Sequence, residues 1–234
     1  MRLLTFTLSF DAVHRLGLLR PDGQVFDLWE HARELSPALP FDAGSMLSLI
    51  EAGPVALAHM ANLVCAPSAP LPLGSLHVLA PVPRPRKNVF CVGWNYLEHF
   101  EEGERVRRQR GQASDLPKHP VFFTKTPTAV TGPNDPIPLD PSVSDKIDWE
   151  VELAVVLGRG GKNIREEEAL DYVFGYTVLN DVSARDLQRK HVQWFKGKSL
   201  DGSCPMGPWI VTKDEINPDE LRVITRVNGV IKQD

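Results

Sequence analysis

Three short strand-like runs open the chain, Leu3–Leu8, His14–Leu19 and Gln24–Leu28, and Asp22-Gly23 between the last two supplies a hairpin turn. This predicts a small sheet. Helical stretches follow at Leu28–Leu35, Ser45–Ala52 and Pro54–Leu63, with Ser45 as a cap and Pro54 in a first helical turn. Pro67, Pro70, Pro72, Pro81, Pro83 and Pro85 then interrupt a stretch that cannot be regular helix. A boundary near residue 80 is expected, giving a small N-terminal α+β domain (1–80) and a larger domain (81–234).

Beyond the boundary the apolar runs are mostly strand-like: Asn88–Gly93, Val121–Lys125, Trp149–Leu157, Gly175–Asn180, Trp209–Thr212 and Leu221–Val227. Helices are expected at Tyr96–Arg110 and at Arg165–Tyr172, whose acidic first turn suits a helix dipole. The fold class is therefore α+β and β-rich. No Gly-rich phosphate loop follows a strand, so nucleotide binding has no support. Asn228-Gly229 marks a hairpin whose returning arm has only begun at Asp234, so a further stretch of natural protein is expected there.

One strand carries chemistry. In Trp149–Leu157, alternation places Glu150 and Glu152 on one face with Ala154 and Val156, while Trp149, Val151, Leu153, Val155 and Leu157 form an apolar opposite face. Two unpaired carboxylates in such a strand are costly. A hard divalent cation, Mg²⁺ or Mn²⁺, would compensate them and keep positions open for water and substrate. A solvated E-x-E face of an antiparallel strand is the alternative.

Composition narrows the classes. At 42% hydrophobic, 24% charged and a net charge of −4, the chain is an ordinary globular one with no general attraction to nucleic acid. The basic run Arg105-Val106-Arg107-Arg108-Gln109-Arg110 follows three glutamates and reads as a solvated helix face. Three widely spaced cysteines, Cys65, Cys91 and Cys204, suggest neither a disulfide framework nor a thiolate zinc site, which fits a reducing cytoplasm. No segment reaches the roughly 18 apolar residues of a membrane span, and no secretion signal is evident.

Five motifs occur in order: Gly93-Trp94-Asn95-Tyr96-Leu97-Glu98-His99, Phe123-Thr124-Lys125, Asp148-Trp149-Glu150-Val151-Glu152-Leu153, Asn180-Asp181-Val182-Ser183-Ala184-Arg185-Asp186, and Gly197-Lys198-Ser199-Leu200-Asp201 followed by Cys204-Pro205-Met206-Gly207-Pro208. Together they resemble the fumarylacetoacetate hydrolase family, whose catalytic domain they cover from about residue 85 onward; the first third is similar to the small N-terminal domain of many bacterial members. The resemblance implies a mixed β-roll or barrel-like fold, one Mg²⁺ or Mn²⁺ on Glu150, Glu152 and Asp181, and a homodimer. It also implies a water-activating dyad, His99 and Glu102, on a lid segment, with Lys198 stabilising negative charge on the attacked carbonyl oxygen.

Arg185 and Gln188 fall where similar proteins hold the substrate carboxylate, and Lys125 matches a lysine in the family's Phe-x-Lys strand. Read alone, Asp181 is equally a helix cap, His99 an exposed surface residue, Lys125 and Lys198 solvated lysines, and Arg185 a structural bridge between acidic groups. The implied reaction is metal-dependent hydrolysis of a C–C bond in an acylpyruvate or related 2-oxo (diketo) acid. A lyase on the same scaffold (oxaloacetate decarboxylase, ureidoglycolate or sugar-acid lyase), or a 2-oxo-acid isomerase, is the alternative; an inactive fragment or binding module is a third. Similar proteins continue with a Thr/Ser segment, a Gly-Thr-Pro-type loop and closing strands, none of which occurs here.

Overall fold

Apolar alternation at the start of the chain becomes an antiparallel meander of β1 (Arg2–Thr7), β2 (Arg15–Leu19) and β3 (Val25–Asp27), with Gly23 at φ 79° in the turn. The structure, a computed structural model, describes residues 1–9, 11–33, 38–67, 69, 71–96, 104, 108 and 117–234. The helices expected at Ser45–Ala52 and Pro54–Leu63 are one element, Met46–Leu63, capped by the Ser45 hydroxyl, which accepts from Ser48 N–H at 3.3 Å. Gly53 (φ 58°, ψ −132°) breaks it just before Pro54, so the proline does sit in a first turn.

Because the two segments run on across that kink, this helix is long and apolar enough to cross a membrane by length and composition, contrary to the sequence expectation. Its Leu49, Ile50, Ala56 and Met60 instead pack with Leu3, Leu16, Leu18, Phe26 and Leu28 in a core that also takes in Phe174 and Ile210 from the second half of the chain.

The remaining strands are β4 (His77–Val78), β5 (Val89–Gly93), β6 (Val121–Lys125), β7 (Val130–Thr131), β8 (Ile147–Asp148), β9 (Val151–Leu157), β10 (Val173–Asn180), β11 (Ser183–Ala184), β12 (Cys204–Thr212), β13 (Thr225–Val227) and β14 (Val230–Gln233). The main sheet is mixed, in the order β3-β2-β1-β12-β10-β9, with β4 on β1 and β7 running parallel to β12. Its continuity across β1 and β12 means that the expected boundary near residue 80 falls in the proline-rich connection while one sheet spans both sides of it.

Three ribbons stand beside the sheet: β5–β6, β8–β11 and β13–β14. Asn228 and Gly229, at φ 50° and 79°, make the last hairpin as their sequence predicts. The acidic stretch expected as a helix is a 3₁₀ run, Glu166–Tyr172. Of the expected helix at 96–110, Tyr96, Glu104 and Arg108 are described, the last two joined by an ion pair of 2.9 Å; the rest lies outside the described residues.

The β10–β12 pairing is close enough to demand glycine at 175, where a Cβ would stand 2.3 Å from the Val211 carbonyl oxygen and 2.8 Å from Ile210 Cγ2. The obstacle is sheet backbone, which cannot swing away. Gly175→Ala is expected to destabilise the protein by about 3 kcal/mol, measured by urea unfolding.

Candidate active site

Two strand connections cross at the centre of the second half. β9 pairs with β10 from Val151 opposite Asn180 onward, and β8 pairs with β11, Asp148 opposite Ser183. Between them lie two short steps, Trp149-Glu150 in one connection and Asp181-Val182 in the other. Their backbone polar groups are met locally: Asp181 N–H donates to Glu150 O at 2.8 Å, and Glu150 N–H to Asn180 Oδ1 at 3.1 Å. Glu150 therefore sits in this step just ahead of the strand, whereas Glu152 lies within β9 opposite Leu179.

Cations reach the crossover from three other places. Lys125 ends β6, is fully buried, and donates to Asp181 Oδ1 at 2.8 Å and to the Val182 carbonyl at 3.1 Å. Lys198 ends the short helix Phe195–Lys198; its Nζ bridges Glu150 Oε2 and Asp181 Oδ2, the latter at 2.7 Å, and lies 4.9 Å from the centre of the Phe123 ring. Neither lysine is the solvated residue that local sequence allows. Gly197 lets that helix lie against the helix Arg185–Lys190, since a Cβ there would meet Gln188 N at 2.6 Å and Ala184 O at 2.8 Å. From this second helix Arg185 donates to Glu150 Oε1 at 2.7 Å, to Asp148 Oδ2 at 2.8 Å and to Gln188 Oε1 at 3.0 Å.

The charges do not balance: four carboxylates (Asp148, Glu150, Glu152, Asp181) meet three cations (Lys125, Arg185, Lys198). Burial alone would push the Glu150 carboxyl up, but Lys198 and Arg185 hold it down at about 2. Glu152 has no hydrogen bond or ion pair among the described residues. Its burial, with Asp181 and Glu150 nearby, pushes its carboxyl up to about 7. Cys91 and Cys204 are buried close by, and burial pushes the Cys204 thiol up to about 12, so neither is a thiolate nucleophile.

One wall is aromatic. Trp194 meets Trp94 and Phe123 edge-on, with ring centres 5.1 and 5.5 Å away. Trp94 holds a left-handed backbone at φ 54°, a strained conformation for a bulky residue, and the kind that clusters at functional sites. Tyr96, two residues on, accepts Leu153 N–H on its hydroxyl at 3.2 Å, which ties the start of the motif carrying His99 to the carboxylate strand.

Glu150, Glu152, Asp181, Lys125, Lys198, Arg185 and Gln188 thus come together, while His99 and Glu102 lie outside the described residues. Asp148, Asn180 and Ser183, whose hydroxyl donates to Glu150 Oε2 at 3.3 Å and to the Asp181 carbonyl at 3.0 Å, went unnoticed in the sequence. Their only signal there was membership of the same two motifs.

Among the described residues no three His, Cys, Asp or Glu side chains already converge on one point, because Lys198 stands between Glu150 and Asp181. The donor set still fits a hard divalent ion. Three neighbouring carboxylates are hard oxygen donors, and the surplus negative charge on Glu152 calls for a proton or a cation.

The family description "Fumarylacetoacetate (FAA) hydrolase C-terminal" matches residues 88–234, more than half of the chain. The chain belongs to the fumarylacetoacetate hydrolase family. Within this family it is 40% identical over 227 residues to the oxaloacetate tautomerase YisK of Bacillus subtilis, covering 93% of this chain and 73% of that one. It is likewise 40% identical over 237 residues to the mitochondrial oxaloacetate tautomerase fahd2 of Xenopus laevis, covering 100% and 69%.

Among solved structures, a fumarylacetoacetate hydrolase from Exiguobacterium antarcticum superposes with a TM-score of 0.73 at 34% identity, over 100% of this chain and 74% of that one. A maleylpyruvate hydrolase from Sphingobium sp. SYK-6, solved with manganese(II) and pyruvate, gives 0.66 at 26% identity, over 93% and 69%. The α+β fold with mixed sheets is that of the family.

The two glutamates predict opposite pH behaviour for metal-free protein. Glu150, folded at about 2 against 4.5 in the open chain, contributes stability above pH 4.5 that is lost as pH falls through 2. Glu152, raised from 4.5 to about 7, costs stability as pH rises across that window, because only the unfolded chain releases its proton there. In chelator, the melting temperature should therefore fall between about pH 5 and about pH 8, and Glu152→Gln should abolish that fall. Relief on the order of 1–2 kcal/mol corresponds to about 2–8 °C at the alkaline end, read by calorimetry.

Proposed function

We propose that this chain catalyses keto–enol interconversion of oxaloacetate or a closely similar 2-oxo dicarboxylate. Its identity of 40% with two oxaloacetate tautomerases, over nearly its whole length, carries this reading. It thereby favours isomerisation over the C–C hydrolysis that the motifs first suggest. In the reaction a C3–H bond breaks, its electron pair becomes the C2=C3 bond, and the C2 oxygen gains a proton. The balance is closed without water or a co-reactant.

Glu150, Glu152 and Asp181 are the residues that hold a divalent ion in this reading; when bound, the ion supplies Lewis-acid polarisation of the 2-oxo group. Added to four carboxylates and three cations, a divalent ion turns the net charge of the cluster from −1 to +1, which favours an anionic substrate. In this reading His99 and Glu102 are the proton-transferring dyad, with His99 taking the C3 proton and returning it to oxygen. Lys198 donates a hydrogen bond to the oxygen on which charge develops, and its burial against the Phe123 ring strengthens that bond. Gln188, its Oε1 held by Arg185, offers its amide N–H groups to a substrate carboxylate. Lys125 secures Asp181 from behind.

A second reading, hydrolysis of an acylpyruvate, is favoured by the likeness to maleylpyruvate hydrolase. Both reactions pass charge to the same 2-oxo oxygen and differ in whether the dyad moves a substrate proton or activates water.

Ultraviolet absorbance separates them. With Mn²⁺ added, the protein should accelerate interconversion of the enol and keto forms of oxaloacetate with no pyruvate formed, and a chelator should remove the effect. Pyruvate released from acetylpyruvate or maleylpyruvate, with oxaloacetate tautomerisation unchanged, would overturn the proposal in favour of the hydrolase. His99→Ala is expected to lower kcat/KM by roughly 10²–10⁴-fold, and Lys198→Met by roughly 10²–10³-fold.

A further inference from the structure

Arg185 is committed within the protein. Its Nε donates to Asp148 Oδ2 at 2.8 Å, its Nη1 to Gln188 Oε1 at 3.0 Å, and its Nη2 to Glu150 Oε1 at 2.7 Å. Nη2 also stands 2.8 Å from Asp148 Oδ2, so Asp148 draws the Nε/Nη2 edge of the guanidinium while Glu150 takes one nitrogen of it. An arginine that grips a substrate carboxylate needs two parallel donors free. Here each of its three nitrogens already has an acceptor.

The backbone around this arrangement is pinned. Asp148 pairs with Ser183 in the β8–β11 ladder, and Arg185 N–H extends the ladder to the Lys146 carbonyl at 2.9 Å. Asp148 uses its other oxygen to accept Trp149 N–H at 3.0 Å. Both ends of the Asp148–Arg185 pair are thus fixed by main chain on either side of the crossover that carries Glu150 and Asp181.

Glu150 is the residue this pair acts upon. One of its oxygens meets Arg185, and the other meets Lys198 and, at 3.3 Å, the Ser183 hydroxyl. Without Asp148, the guanidinium is free to turn both donors onto Glu150 and occupy the carboxylate as a bidentate partner, in direct competition with an ion. With Asp148 in place, it orients one oxygen and leaves the other on Lys198, which bridges to Asp181.

We propose that Asp148 and Arg185 form a brace that aims the Glu150 carboxylate at the metal site, and that both are positioning residues there rather than part of the substrate pocket. This rests on the reading of Glu150, Glu152 and Asp181 as ligands. Partners that orient a ligating carboxylate typically matter by roughly 10–100-fold in metal affinity.

The test uses the whole chain, stripped of metal and titrated with Mn²⁺ by calorimetry, comparing wild type with Asp148→Asn and Arg185→Lys. Both variants should bind Mn²⁺ roughly 10–100-fold more weakly and keep a cooperative melting transition in chelator, and Asp148→Asn should show an unchanged KM for oxaloacetate once Mn²⁺ is saturating. Wild-type affinity in both variants, with a raised KM in Arg185→Lys, would return Arg185 to the substrate and overturn the brace. Variants that lose the fold in chelator overturn it too, because the pair would then be holding the ladder together rather than aiming a carboxylate. Wild-type protein that binds no Mn²⁺ removes the ligand reading, and the brace with it, whereas wild-type binding with unaffected variants removes the brace alone.

Discussion

Burying a carboxylate away from water is tolerable only when something positive or hydrogen-bonding meets it. Glu150 and Asp181 occupy the place where β8 passes into β9 and β10 into β11, and Asp181 is fully buried there. Lys198 spans the two, Lys125 secures Asp181 from behind, and Arg185 holds the second oxygen of Glu150. The architecture of the second half serves this arrangement. The β5–β6 ribbon delivers Lys125, two short helices in contact at Gly197 deliver Arg185 and Lys198, and the β8–β11 ladder keeps the crossover in register.

The same compensation leaves one carboxylate over. Glu152 is largely buried with no partner among the described residues, and that burial, with the repulsion of Asp181 and Glu150, holds its proton to about neutral pH. Such a surplus lowers the stability of the folded chain at alkaline pH, and a site that takes up a cation can relieve it. Instability of this kind is expected where a structure is shaped for a ligand rather than for itself.

Relatives of this chain divide by reaction while sharing a fold. Tautomerases at 40% identity and a manganese-containing maleylpyruvate hydrolase at 26% both align over most of its length. A site that polarises a 2-oxo group and stabilises the enolate serves either chemistry. The difference lies in what the proton-transferring groups address, a C–H bond of the substrate or a water molecule. Family and fold thus narrow the reaction class, and individual residues choose within it.

Sequence by itself determined the local elements and the chemistry-bearing motifs. The hairpins at Asp22-Gly23 and Asn228-Gly229, the strands at 89–93 and 121–125, and the break before Pro54 follow from turn chemistry and apolar runs that act over a few residues. Glu150 and Glu152 were legible as a candidate site from strand alternation, whereas Asp181 joined them only through the family resemblance. Tertiary structure alone decided which cation meets which carboxylate. Lys125 lies 56 residues before Asp181 and Lys198 17 after it, and either lysine would be solvated by its own neighbours in the chain. That Asp148 engages Arg185, and that Glu150 leaves the strand one residue early, were likewise beyond local pattern. Ion pairing between distant segments depends on where the backbone brings them, and that is settled by the packing of the whole sheet.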